Sequence, residues 1–144
     1  MLDLLVVCVG NICRSPDAAA QLARALPEAR VQSAGLQARV GEPADAQSAA
    51  VAAEHGLDLS VHVARQITTR MCEAADLILV MSQEIKADLQ SRFQLTRGKV
   101  FRLGEIGGFD IADPYRQPRD AFDRAHAEIA RGVADWMPRL RRLN

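Results

Sequence analysis

The chain carries no surplus of either charge, with 18 Lys and Arg against 18 Asp and Glu. No positive field is therefore available to recruit nucleic acid or an anionic lipid surface. Lysine is nearly missing: Lys86 and Lys99 are the only two, and arginine supplies the rest of the positive charge. Arginine is the better bidentate partner for phosphate, but a GC-rich genome gives the same bias, and that is the reading preferred here. Cysteine is scarce too, at three unevenly spaced positions, which excludes a disulfide framework. Three scattered histidines and no CxxC pair give no zinc-site pattern, so neither a metal nor a cofactor is expected. No run approaches the roughly 20 apolar residues of a membrane span. Met1-Leu2-Asp3 lacks the basic start of a signal peptide. A reduced, cytoplasmic protein without membrane insertion is expected.

What is present is ordinary globular content: 49% hydrophobic residues in 144 positions, enough for one domain spanning 1–144. Leu4–Val7 is a continuous, β-branched apolar run, as expected of a strand buried on both faces. Ser15 to Leu26 reads as a helix, with Ser15 as N-cap and Pro16 at the first helical position. A second strand is expected over Arg30–Ala34, closed by Gly35, and a second helix over Ala44–Glu54, ended by His55-Gly56. Then follow a short helix at Thr68–Ala75, a strand at Leu77–Met81, a helix at Gln83–Phe93 and a fourth strand at Val100–Leu103. After a Gly-rich loop from Gly104 to Pro118, apolar residues from Phe122 to Leu140 recur every three or four positions, which predicts a long amphipathic helix that Pro138 kinks or ends. Strands alternating with helices imply right-handed βαβ units and a parallel sheet covered on both faces. Ligands bind such sheets beyond the carboxyl ends of the strands. The loops after Val7 and after Leu103 therefore belong to one edge, although about a hundred residues separate them.

Between the first strand and the first helix lies "CVGNICRS", Cys8 to Ser15. Gly10 and Asn11 fall where a tight loop needs unusual dihedrals. Such a loop turns successive N–H groups inward as an anion nest, and the following helix adds its free N–H groups and the positive end of its dipole. Arg14 supplies a planar fork for two phosphoryl oxygens. A thiol at the bottom of that cup is favoured as thiolate, and Ser15 is placed to donate to its sulfur.

"VCVGNICRSP" resembles the signature of the low-molecular-weight protein tyrosine phosphatases, and "SAG" (Ser33–Gly35), "HVARQI" (His62–Ile67) and "ADPY" (Ala112–Tyr115) follow in that family's order. The bacterial branch tied to capsule and exopolysaccharide synthesis is the nearest in pattern. The resemblance implies a three-layer α/β sandwich around a four-stranded parallel sheet of order 2-1-3-4. It also implies metal-free, two-step hydrolysis of phosphotyrosine. Cys8 would be the nucleophile that forms a phosphocysteine intermediate. Arg14 and the loop Val9, Gly10, Asn11, Ile12, Cys13 and Ser15 would hold the equatorial oxygens. Asp113 would act as general acid and then as general base, with its backbone restricted by Pro114 and with Asp110 as a lower-ranked competitor. Asn11, Ser15, Ser33 and His62 would form the network that shapes the loop. Leu36, Arg39 and Tyr115 would line the substrate pocket. Ile12, with no hydroxyl to engage a guanidinium, favours phosphotyrosine over phosphoarginine. Cys13 would be a reversible redox partner for Cys8, whereas Cys72 reads as core.

Two positions depart from the family pattern. Ala19 stands where relatives usually carry Glu, with an acid at Asp17 instead. Arg39 stands where close bacterial relatives have an apolar residue, and reads either as favouring acidic sequence around the phosphotyrosine or as a solvated side chain. Inorganic phosphate, sulfate and vanadate are expected ligands of the cup, and a bacterial tyrosine autokinase is the expected protein partner. The alternatives are an arsenate reductase on the same scaffold, a broad aryl-phosphate acid phosphatase, and a non-catalytic phosphate binder.

Overall fold

A computed structural model describes residues 1–144. Its elements are β1 (Asp3–Cys8), α1 (Arg14–Ala25), β2 (Arg30–Gly35), α2 (Ala46–Glu54), α3 (Thr69–Ala74), β3 (Leu77–Val80), α4 (Gln83–Arg92), β4 (Val100–Arg102) and α5 (Arg119–Leu143). A single 3-10 turn, Gln94–Thr96, follows α4. The four strands are all parallel, in the order β2-β1-β3-β4. β1 is central, with Val6 beside Ser33 on one side and Leu79 on the other. The continuous apolar sequences of β1 and β3 are explained by their burial on both faces; all four residues of β3 are buried.

From β1 the chain crosses to β2 at one side, and from β3 to β4 at the other. With right-handed connections, those opposite directions put α1 and α4 on opposite faces of the sheet. α5 packs on α1 and α2, so its apolar stripe (Phe122, Ala125, Ile129, Val133, Trp136, Leu140) closes the face that α1 begins. Trp136 Nε1–H, the one polar atom of that stripe, donates to the Arg102 carbonyl at 3.2 Å. No helix is long and apolar enough to cross a membrane.

Three sequence expectations are corrected. First, α1 begins at Arg14, so Ser15 is not its N-cap and Pro16 is its third residue; the residue before the helix is Cys13, which makes no side-chain cap bond. The Ser15 hydroxyl is directed to Cys8 and Asn11 instead, and proline is tolerated because no first-turn N–H has a helical partner to lose. Second, α2 begins at Ala46, with Asp45 accepting from the N–H groups of Gln47 and Ser48. Third, α5 runs through Pro138 to Leu143, because Met137 and Leu140 beside it are buried in the core. The remaining boundaries agree to within a residue or two.

All four strands end at one edge, where the loops after β1, β2 and β4 meet. Gly35 is what lets the first two approach: a Cβ there would lie 2.4 Å from the Val9 carbonyl oxygen.

Candidate active site

The loop from Val9 to Cys13 has its carbonyls and its N–H groups sorted to opposite sides. The carbonyls of Cys8, Val9, Gly10 and Ile12 accept from the N–H groups of Leu36, Gln37, Arg39 and Asp45, at 2.8 to 3.0 Å. The Asn11 carbonyl accepts from His62 Nε2–H at 2.7 Å. By contrast, no N–H from Val9 to Ser15 donates to any acceptor in the chain. A run of unpaired donors leading straight into the first turn of α1 is a concave anion receptor.

Asn11 makes this turn possible. It has a φ of 58°, in the left-handed region that asparagine tolerates better than most residues. Its fully buried side chain is satisfied on both sides. Nδ2 donates to Ser15 Oγ (2.7 Å) and Ser33 Oγ (3.0 Å), and Oδ1 accepts from the Arg65 N–H (2.8 Å). Because Ser15 Oγ accepts from Asn11, its own proton is free for Cys8 Sγ, 2.9 Å away. The predicted network of Asn11, Ser15, Ser33 and His62 is thus assembled in one place, with an orientation that puts a donor on the sulfur.

Arg14 is buried, and its Nη1 donates to the Ile111 carbonyl at 2.8 Å, which fixes the guanidinium from the β4–α5 loop. Its Nη2 lies 3.7 Å from Asp113 Oδ2. Asp113 is half-exposed, and its Oδ1 accepts from the Tyr115 N–H at 3.1 Å across Pro114, so the turn aims the carboxyl. Cys8, Arg14, Asp113 and Tyr115 line a single open cavity of about 360 Å³. Asp110, the competing acid, is outside it: Oδ1 is occupied by Arg102 Nη1 (3.1 Å) and the Gln83 N–H (3.2 Å).

Cys13 also borders the cavity but is buried among Ile12, Val51, Ala64 and Phe122. Burial, with the Asp45 carboxylate adding to it, pushes its thiol up to about 12, so it stays protonated at neutral pH. Cys72 is fully buried on α3, and burial raises its thiol as well. The relay of a second and third cysteine that an arsenate reductase requires finds only this one residue before β3.

Leu36 points into the core, and its carbonyl accepts from Gln66 Nε2 and Arg92 Nη1; Gln37 and Ala38 face the cavity in its place. Arg39 and Tyr115 do reach the cavity mouth, with the Arg39 guanidinium 5.5 Å from the Tyr115 ring centroid. Asp17 meets a residue the sequence reading did not single out: its Oδ2 accepts from His126 Nδ1 at 2.8 Å, both side chains being buried. Ala19 packs against the core.

The family described as "Low molecular weight phosphotyrosine protein phosphatase" matches residues 3–144. Among curated relatives, the "Probable low molecular weight protein-tyrosine-phosphatase EpsP" of Ralstonia nicotianae is 52% identical over 140 residues, covering 97% of each chain. Among solved structures, the tyrosine phosphatase AmsI of Erwinia amylovora superposes with a TM-score of 0.92 at 43% identity, over 96% of this chain and 93% of that one. Wzb of Vibrio vulnificus, in complex with benzylphosphonate, gives a TM-score of 0.93 at 40% identity, over 96% and 98%.

Proposed function

Because the chain belongs to the low molecular weight phosphotyrosine protein phosphatase family, and is a protein-tyrosine-phosphatase, we propose that it hydrolyses phosphotyrosine in two steps at Cys8. The Cys8 thiolate attacks phosphorus in line, and the tyrosyl oxygen departs with a proton from Asp113. Water, deprotonated by Asp113, then cleaves the S–P bond and releases inorganic phosphate. Throughout, the unpaired N–H groups from Val9 to Ser15 and the Arg14 fork hold the three equatorial oxygens, which is where charge develops. That uninterrupted set of donors around one sulfur is the observation that carries the reading. Benzylphosphonate, the ligand of the Vibrio relative, is a non-hydrolysable aryl-type phosphonate of the same shape.

A bacterial tyrosine autokinase that governs polysaccharide synthesis, in the cytoplasm, is the proposed physiological substrate. The branch of the family supports it. Co-incubation with the phosphorylated kinase is the test, and persistence of its phosphotyrosine removes that partner. Cys13 is proposed to condense with a peroxide-oxidised Cys8 sulfenic acid, forming the disulfide and releasing water. Activity lost to peroxide then returns with a dithiol in wild type but not in Cys13→Ser.

The test of the central reaction is rapid acid quench during turnover of a phosphotyrosine peptide. Phosphate attached to Cys8 is expected in wild type, and turnover is expected to be lost in Cys8→Ser. Full activity in Cys8→Ser would end the proposal.

A further inference from the structure

Resting on the phosphatase reading above, we propose that Arg39 and Arg116 form a second anion subsite at the rim of the cup. It takes an acidic side chain or a second phosphoryl group adjacent to the phosphotyrosine being hydrolysed. The two guanidinium carbons lie 5.5 Å and 5.2 Å from the same Tyr115 ring centroid. Tyr115 borders the cavity into which a substrate ring must enter, so both cations stand where the residues flanking a phosphotyrosine have to pass.

The two arginines contribute differently. Arg39 is tied to the phosphate loop itself, since its N–H donates to the Gly10 carbonyl at 3.0 Å. Glu42 takes its Nε at 2.9 Å, which offsets its charge but leaves both terminal nitrogens without an acceptor. Arg116 is exposed, makes no ion pair, and therefore supplies the uncompensated charge. Its backbone is also unusual. At a φ of 63° it occupies the left-handed region, where glycine or asparagine would sit with less strain. A long cation held in a conformation that disfavours it, beside a reaction cavity, points to a use for the charge rather than for the turn.

The rim is polarised. A second depression shares Val9, Arg14, Gln37 and Asp113 with the cavity and continues to Glu84 and Asp88 on α4. Asp88 is neutralised by Arg92, but Glu84 has no cationic partner. An anionic flank is thus attracted at the Tyr115 end and repelled at the α4 end, which also fixes how a phosphorylated segment lies across the cup.

The experiment uses three phosphotyrosine peptides of equal length: one with neutral flanks, one with Glu flanks and one with a neighbouring second phosphotyrosine. Values of kcat/KM are compared within each enzyme, so any general effect of a substitution cancels. Wild type should prefer the anionic peptides by roughly fivefold at low ionic strength, with the preference fading at high salt. Arg39→Gln and Arg116→Gln should each reduce the ratio, and together bring it close to one. Arg116→Gly should lower the ratio without loss of stability, since it relieves the backbone while removing the charge. Preference for both anionic peptides identifies a general carboxylate and phosphoryl site, and preference for the doubly phosphorylated one alone identifies a phosphoryl site. A wild-type ratio near one, or a ratio unaltered in the double variant, overturns the subsite while leaving the phosphatase reading intact. Failure to hydrolyse any peptide overturns that reading and the subsite with it.

Discussion

Asp113→Asn is the substitution that best separates proton transfer from geometry. Asparagine keeps the size of the side chain and an oxygen able to accept from the Tyr115 N–H, so the turn across Pro114 should persist. It cannot deliver a proton to a leaving tyrosyl oxygen, whose conjugate acid has a pKa near 10. General acid catalysis contributes roughly 10²–10⁴-fold, and kcat for phenyl phosphate should fall by that order. A second effect runs the other way. In wild type, a carboxylate 3.7 Å from Arg14 Nη2 competes with the incoming phosphate for that guanidinium. The carboxylate is half-exposed, so relief of this competition is worth about 1 kcal/mol at most, and KM should drop by no more than about fivefold. A nitrophenyl ester, whose leaving group departs without much help, should lose far less in kcat/KM than phenyl phosphate, because kcat/KM reports formation of the phosphocysteine and not its later hydrolysis, which is common to both esters. Steady-state kinetics on the two esters checks all three expectations. An equal loss in kcat/KM on both would show that the substitution disturbs geometry rather than proton delivery. Unchanged kcat on phenyl phosphate would refute the assignment. Asp110→Asn is the control, and should stay within about twofold of wild type because that carboxylate is occupied by Arg102 and the Gln83 N–H.

Ser15→Ala removes the one side-chain donor to the Cys8 sulfur and should slow inactivation by iodoacetate at pH 6 about tenfold or more; an unchanged rate would reduce Ser15 to a spacer. Cys13 gives a pH dependence of defined sign. Its thiol is held up to about 12 in the fold against 9.0 for an ordinary cysteine, so between those values the unfolded chain has released a proton that the folded chain keeps. Stability should therefore fall as pH rises above about 9, and urea unfolding should show a shallower decline in Cys13→Ala. A parallel decline in both would contradict the burial argument. Gly35→Ala drives a methyl to 2.4 Å from the Val9 carbonyl and 3.1 Å from Ala38, and backbone at that distance must move. A loss of about 1–3 kcal/mol in urea unfolding is expected, with weaker binding of sulfate to the cup.

The site was legible in the sequence where it is contiguous. A buried strand, a loop with Gly10 and Asn11, and a helix led by Arg14 and Ser15 are one local unit, so their sequence context and the family signature place them together. Asp113 is legible through the ADPY pattern, and the parallel sheet explains why it meets Cys8, because the loops after β1 and β4 leave the same edge. Features that depend on tertiary detail were not legible. Leu36 and Gln37 are neighbours, and which one faces the cavity depends on how the chain turns after Gly35. Arg116 gives no sign in sequence that its backbone is left-handed, since only Gly, Asn or Asp would advertise it. His126 reads as one polar position on a helix until packing of α5 against α1 brings it to Asp17, more than a hundred residues away. The start of α1 was misplaced for an informative reason. Ser15 has the composition of a cap, and here its hydroxyl does other work.

That misplacement bears on how the anion site stays open. α2, α3 and α4 each have a side-chain oxygen on their first N–H groups, from Asp45, Thr68 and Ser82. α1 has none, although it carries a candidate in its first turn, and of the other helices only α5, which Pro118 precedes, shares that lack. A carboxylate at Asp17 that folded back onto those N–H groups would gain a favourable contact with the helix dipole and would occupy the donors a phosphate needs. The Asp17 oxygens are instead taken by His126 Nδ1 from α5 and by Gln21 Nε2 from the next turn. The pairing therefore does more than satisfy a buried acid. It holds the Asp17 carboxylate toward the helical layer, so that the first-turn N–H groups of α1 stay free for an anion in the cup.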